Sequence, residues 1–164
     1  MLIVLDAPRD TPSIGGYTQA VLAGLDASLA PLGEVLTEFV SQRFETQTTP
    51  SGAPFAPLSP KTLEVRARRG FAGTKILIVS AMLRNSYVPR IQREQRRVSI
   101  GPSGPSRAYA ATHQFGRGRI PARPVLPIGP GGPPPQTLIA EARATVADAL
   151  RASLARWRAS RGSR

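Results

Sequence analysis

Cysteine is missing from all 164 residues, which excludes disulfides, thiolate metal sites and a cysteine nucleophile. Histidine occurs once, as His113, and aromatic residues make up only 5% of the chain. Acidic residues are scarce after residue 50, where only four remain, widely scattered. Paired carboxylates of the glycosidase kind, or an acidic cluster for a divalent cation, have few groups to draw on. Around His113 lie Ser103, Ser106 and Thr112. These are residue types common in turns, with no acid nearby to orient the imidazole as a catalytic triad requires. The inventory points to a non-enzyme without cofactor or metal.

Long apolar runs are missing too. The opening Met1-Leu2-Ile3-Val4-Leu5 stops at Asp6 and has no basic stretch before it, unlike a signal peptide. No uninterrupted run approaches the roughly 18 apolar residues of a membrane span. The expectation is a chain made in a cytoplasm and without a membrane partner.

Proline and glycine, by contrast, are plentiful, at 17 and 15 residues. The prolines gather in a few places, marking organised loops between short elements. Basic residues dominate, with a net charge of +12. The charge is uneven: residues 1–50 hold six acids and two bases, residues 51–164 four acids and twenty bases. Such polarity suits head-to-tail packing of identical subunits or a polyanionic partner. Arginine outnumbers lysine ten to one, a bias that GC-rich coding with no functional meaning and a functional preference for arginine explain equally.

By length the chain is expected to be a single domain. Residues 1–16 read as an extended arm or short strand. Residues 17–45 read as helical, with Tyr17, Val21, Leu25 and Leu29 on one face. Pro31 and Gly33 divide this from a second pattern, Leu32 to Phe44, so two joined helices and one helix kinked at Pro31 fit equally. Residues 46–60 form a proline-rich loop whose large apolar residues, Phe55 and Leu58, are expected to pin it to the core. Ser59 and Pro60 suit the start of a short helix ending at Gly70. Residues 61–128 are expected to be a β-rich core with short helices. Within it, Ile76 to Val79 reads as a buried strand or a helix start. Ser86 to Gln92 and Arg97 to Ile100 read as a hairpin turning at Arg93 to Arg96. Tyr109 to Phe115 suggests one helical turn closed by Gly116. Residues 129–135 read as a linker stiffened by proline, and residues 136–158 as the C-terminal helix, with a stripe from Leu138 to Trp157. The fold class is therefore α+β: N-terminal helices and a long C-terminal helix around a small antiparallel sheet, with long Pro/Gly-rich loops.

Two glycine-rich stretches fail as phosphate loops. Gly129-Pro130-Gly131-Gly132 lacks a following Lys-Ser/Thr pair, and Gly116-Arg117-Gly118-Arg119 lacks a preceding strand. Arginine clusters at Arg66-Arg68-Arg69, Arg93-Arg96-Arg97, Arg117-Arg119-Arg123 and Arg151-Arg156-Arg158 suit phosphate contact. No zinc-finger spacing or aromatic-rich strand accompanies them, so a solvated basic face or an acidic protein neighbour explains them as well. A basic nucleic-acid-binding module stays the alternative reading.

Three blocks of residues carry a resemblance. The first is Phe44, Pro50, Ser51-Gly52, Phe55, Pro57-Leu58-Ser59 and Thr62; the second is Leu77 to Ser86. The third is Tyr109-Ala110, His113-Gln114-Phe115-Gly116, Ile120-Pro121-Ala122-Arg123-Pro124 and Leu126. In order and spacing they resemble the phage virion morphogenesis proteins, also called tail completion proteins, over roughly residues 40–130. His-Gln-Phe-Gly followed closely by Pro-Ala-Arg-Pro is the most specific part. The chain departs from the family pattern at Phe55 (usually tryptophan), Ser80-Ala81 (usually threonine-glycine) and Val125 (usually phenylalanine).

The resemblance implies a structural protein of a tailed phage, assembled in the host cytoplasm and placed in the virion at the neck, where head and tail join. It implies a homo-oligomeric ring of six or twelve copies, with neck, connector or tail proteins as neighbours; the basic charge adds the expectation of non-specific contact with packaged DNA. A tail-terminator component is a second position for it. Phe55, Leu58, Arg84, His113, Gln114, Phe115, Gly116, Arg123 and Pro124 are the expected structural or interface residues. Arg84 is expected to meet an acid such as Glu34 or Glu38 of another copy. Arg123 is expected to serve either a subunit contact or a local loop cap, and His113 and Gln114 to bond that same loop.

Overall fold

A computed structural model describes residues 14–162. It has five helices and one hairpin: α1 (Ile14–Thr46), α2 (Pro60–Arg68), α3 (Met82–Ser86), β1 (Tyr87–Gln92), β2 (Arg97–Pro102), α4 (Arg107–Phe115) and α5 (Gln136–Gly162). Single 3-10 turns lie at Gly104–Ser106 and Gly129–Gly131. The class is α+β, as the sequence reading has it, with long helices at both ends and a two-stranded antiparallel sheet.

One helix takes up both N-terminal patterns. It runs through Pro31, where the ring and the missing N–H disturb the turn back to Ala27. Both residues face solvent, where the freed carbonyl is open to water, while packing on the other side holds the helix together. The helix includes residues 14–16 of the expected arm; residues 1–13 lie outside the described part. The buried face also differs from the expected one. Ala20, Gly24, Ser28, Leu29 and Gly33 are buried, whereas Tyr17 is exposed and Val21 and Leu25 are half-buried.

The cause is close helix packing. A Cβ on Gly24 would stand 3.0 Å from the Leu150 Cα, so α1 and α5 meet nearly backbone to backbone. The Ser153 hydroxyl, itself buried, donates to the Ala20 carbonyl at 2.8 Å across this seam. Tyr17 stacks edge-on against Trp157 at 5.8 Å. The two helices thus lie antiparallel, with the start of α1 beside the end of α5. In its most apolar window α1 has a mean hydropathy of 1.3, long and apolar enough to cross a bilayer. That qualifies the reading based on uninterrupted runs. In the fold the same helix carries α5 and the hairpin along its length.

The hairpin pairs Tyr87 with Pro102 through to Gln92 with Arg97, extending two residues beyond the expected partner strand. It leans on α1 where Gly33 leaves room for Pro89, and Arg96 in its turn pairs with Asp26 of α1 at 3.0 Å. The rest of residues 61–128 is not β-rich. Ile76 to Val79 is neither strand nor helix but a turn, with Leu77 at φ 64°. The Gln47 side chain accepts from the Ile76 N–H at 2.6 Å and donates to the Ile76 carbonyl at 3.1 Å. A side-chain amide thus replaces the neighbouring strand that such an apolar run would otherwise need.

The main core lies at the far end of α1. Phe39, Val40, Phe44, Phe55, Leu83, Tyr87, Ala110, Val125 and Leu138 form it. Phe44 is completely enclosed and tilts against Tyr87 at 5.8 Å. Burial pushes the Tyr87 phenol up to about 12. Residues 129–135 are not a free linker. Gly131 is buried, and a Cβ there would meet the Leu126 carbonyl oxygen at 2.0 Å. Only glycine allows the chain to press this turn onto the core before α5 begins.

Candidate functional site

The three resembling blocks are brought together by a few backbone-directed bonds. In the first block, the Phe55 N–H bonds to the Gln47 carbonyl at 2.8 Å, and the Phe55 ring enters the core. Ser59 caps α2: its extended backbone turns the hydroxyl onto the Thr62 N–H at 3.2 Å, with Pro60 opening the helix. α2 buries none of its residues, and Leu63 and Val65 stay exposed. Arg66 ties it to the chain beyond by donating to the Thr74 hydroxyl at 3.0 Å and to the carbonyls of Thr74 and Lys75.

In the second block, Ala81 starts α3 in the left-handed region at φ 57°. This is where the family pattern has glycine, the residue suited to such a φ. Arg84 does not wait for an acid on another copy. It pairs with Glu45 of its own chain at 2.5 Å, and Lys75 holds the other oxygen of Glu45 at 2.7 Å. Lys75, and then Arg84, keep the Glu45 carboxyl below its usual range. This exposed triad staples the end of α1 to the second block, and Glu45 is the acid that Arg84 meets within its own chain.

The third block is the most tightly built. α4 spans two and a half turns, longer than the single turn expected, and closes at Gly116 with φ 76°. A Cβ on Gly116 would crowd the Ile120 carbonyl and the Ala122 N–H at 3.1 Å. Gln114, only 4% exposed, uses its whole amide. Its oxygen accepts from the N–H groups of Val125 and Leu126, both at 3.1 Å, and its nitrogen donates to the carbonyls of Leu126 at 2.8 Å and Ile128 at 3.0 Å. The next link is Arg123, 5% exposed, whose Nε and Nη2 donate to the carbonyls of Ala56 at 2.7 Å and Pro57 at 2.8 Å. Arg123 therefore locks the third block to the first, and of its two expected roles the loop cap is the observed one. Pro124 is buried behind it, whereas Phe115 points elsewhere, exposed and covering Gly129.

Between the blocks opens a cavity of about 720 Å³. Leu58 and Pro57 line it from the first block, Leu77, Val79 and Met82 from the second, and Tyr109, His113 and Ile120 from the third. Val79, Met82, Tyr109 and Ile120 stay well exposed around it. Arg66, Arg119 and Arg123 bring positive charge, and no aspartate or glutamate is among the lining residues. The sequence identified Leu58, His113 and Arg123 here. It named Arg66 only as a candidate phosphate contact and Met82 only within the second block, because their placement at this cavity depends on a loop geometry without periodic signal.

Among the described residues no acid bonds to His113. Its Nδ1 is buried without a hydrogen-bond partner, and its ring faces Tyr109 edge-on at 6.3 Å. Burial, and secondarily Arg123, lowers its pKa below 6.5. The unfolded imidazole then takes up its proton first as pH falls, so this contribution to stability is full above pH 6.5 and declines below it. We expect the urea midpoint to drop between about pH 7.5 and about pH 5, and to drop less in His113→Gln. An equal drop in both proteins would show that His113 is not the group responsible. Among the described residues no three histidines, cysteines or acids gather as a metal site would need.

What these elements define is a small α+β protein that presents an open, apolar, arginine-bearing surface built from loops. The chain belongs to the phage virion morphogenesis family, whose model matches residues 16–155. That family is one of phage structure and assembly, and the protein has a role in building the phage particle. No curated protein and no solved structure matches the chain.

Proposed function

We propose that this protein is a subunit of a ring completing the tail at the head–tail junction, acting by contact and carrying out no reaction. The observation that supports this most is the convergence of all three family blocks on one apolar cavity bordered by arginines and lacking carboxylates. An enzyme site needs groups that move protons or attack; here the one histidine has no orienting acid. A docking surface needs exposed apolar area with charge around it, and Val79, Met82, Tyr109 and Ile120 supply that area.

A ring subunit also needs two different surfaces, one for each neighbour. The acidic first third and the basic remainder are suited to that. The partners in this reading are further copies, in a ring of six or twelve, and the connector or tail proteins on either side. The exposed arginines of α5, Arg143, Arg156 and Arg158, are free for weak contact with packaged DNA.

The test is electron microscopy of particles assembled without this chain. Complete heads lying beside complete but unattached tails are expected. Normal joined virions would refute the reading. A nucleic-acid module would instead leave joining intact and show salt-steep, sequence-selective DNA binding.

A further inference from the structure

We propose that residues 1–13 of one copy occupy the cavity of the next copy, so that each subunit is clasped head to tail by its neighbour. This rests on the reading of the chain as an assembling subunit, and it names the contact that joins the copies.

The cavity asks for a particular occupant. Its walls are apolar, from Leu58, Leu77, Val79, Met82 and Ile120, and its charged groups are cationic with no acid to neutralise them. A fitting peptide carries a few large aliphatic side chains followed closely by a carboxylate. Residues 1–13 have that order: Leu2-Ile3-Val4-Leu5 are followed at once by Asp6, with Asp10 further on. No other segment of the chain joins four consecutive large aliphatic residues to an acid.

Reach decides between the chain's own cavity and a neighbour's. The cavity lies at the far end of α1, since Arg84 and Lys75 beside it bind Glu45 and Gln47 holds Ile76. The start of α1 lies at the opposite end, beside Trp157. From Ile14 to Phe44 the helix rises about 45 Å. From Leu5 to Ile14 an extended chain spans at most about 30 Å. Leu5 therefore falls well short of its own cavity, while a neighbour placed end to end offers one within range. A contact of this heterologous kind closes into a ring when the rotation between copies allows.

The lack of natural cysteine makes the test clean. The full chain is made as two single variants, Leu5→Cys and Val79→Cys, mixed in equal amounts and mildly oxidised. Intact mass should then show the mixed disulfide dimer in excess over either homodimer. Adding Asp6→Arg to the first variant should slow its formation about tenfold. A control pair with Ala159→Cys in place of Val79→Cys, at the other end of the molecule, should give only collisional background. Mixed dimer no greater than that background overturns the proposal. So does an intrachain disulfide in the Leu5→Cys/Val79→Cys double variant at the expense of dimer. Either failure leaves the joining role standing, because particles lacking the chain test that role separately.

Discussion

Arg123→Glu is expected to lower folding stability by about 3–5 kcal/mol, the range for an uncompensated buried charge. The guanidinium is 5% exposed and donates to the Ala56 and Pro57 carbonyls. Hydrogen bonds to a charged donor contribute roughly 1.5–3 kcal/mol each, and glutamate has no proton to replace them. It would also set a carboxylate against two carbonyl oxygens. Burial, and then Arg66, already lowers the Arg123 pKa, a sign that the site tolerates even its own charge at a cost. Urea unfolding should show a midpoint lower by about 2 M, taking a slope near 2 kcal/mol per M. Arg123→Lys, which keeps the charge but not the planar fork, should fall between. A charge reversal that left the monomer fully stable would contradict this and restore a purely intermolecular role for Arg123.

Gln114→Leu should be nearly as damaging. The swap is close in volume, so packing alone predicts a small effect. Yet it strips the N–H groups of Val125 and Leu126 of their acceptor, and takes one of two donors from the Leu126 and Ile128 carbonyls, which keep the N–H groups of Ile128 and Gly131. Each unmet buried N–H costs roughly 1–3 kcal/mol, giving about 2–6 kcal/mol for the pair if water reaches neither. Gln114→Glu keeps the two acceptor contacts but repels the carbonyls, and should be milder at low pH, where the acid can donate. A Leu variant with an unchanged midpoint would mean that water or local rearrangement satisfies the loop.

The His-Gln-Phe-Gly and Pro-Ala-Arg-Pro stretches were recognisable, and a loop-bonding role for Gln114 and Arg123 could be expected from them, while the particular partners could not. Gln114 acts eleven to fourteen residues away and Arg123 more than sixty. Sequence spacing carries no trace of either partner. α5 was legible because a narrow apolar stripe repeats along it, and the hairpin because a polar turn separates two alternating runs. Ile76 to Val79 was not legible, because Gln47, 29 residues upstream, satisfies it. On α1 the large aliphatic residues drew attention from the small ones. Ala20, Gly24 and Ser28 are the residues that α5 needs, since only small side chains let the two backbones approach so closely. The pairing of Arg84 with Glu45 was not legible, because Glu45 lies 39 residues away on another element. The cavity itself is a product of these long-range ties.

The central claim is that the cavity's border is a surface for other proteins. Met82 tests it most directly. It is 57% exposed and opens α3. Glutamate there suits a helix start and should change stability by no more than about 0.5 kcal/mol. Phage lacking the natural copy should be complemented with Met82→Glu, and the infectious titre measured against wild-type complementation. The account predicts a titre lower by about tenfold or more, from a protein that is folded and present at normal level. A full titre, with heads and tails joined as usual, would contradict it.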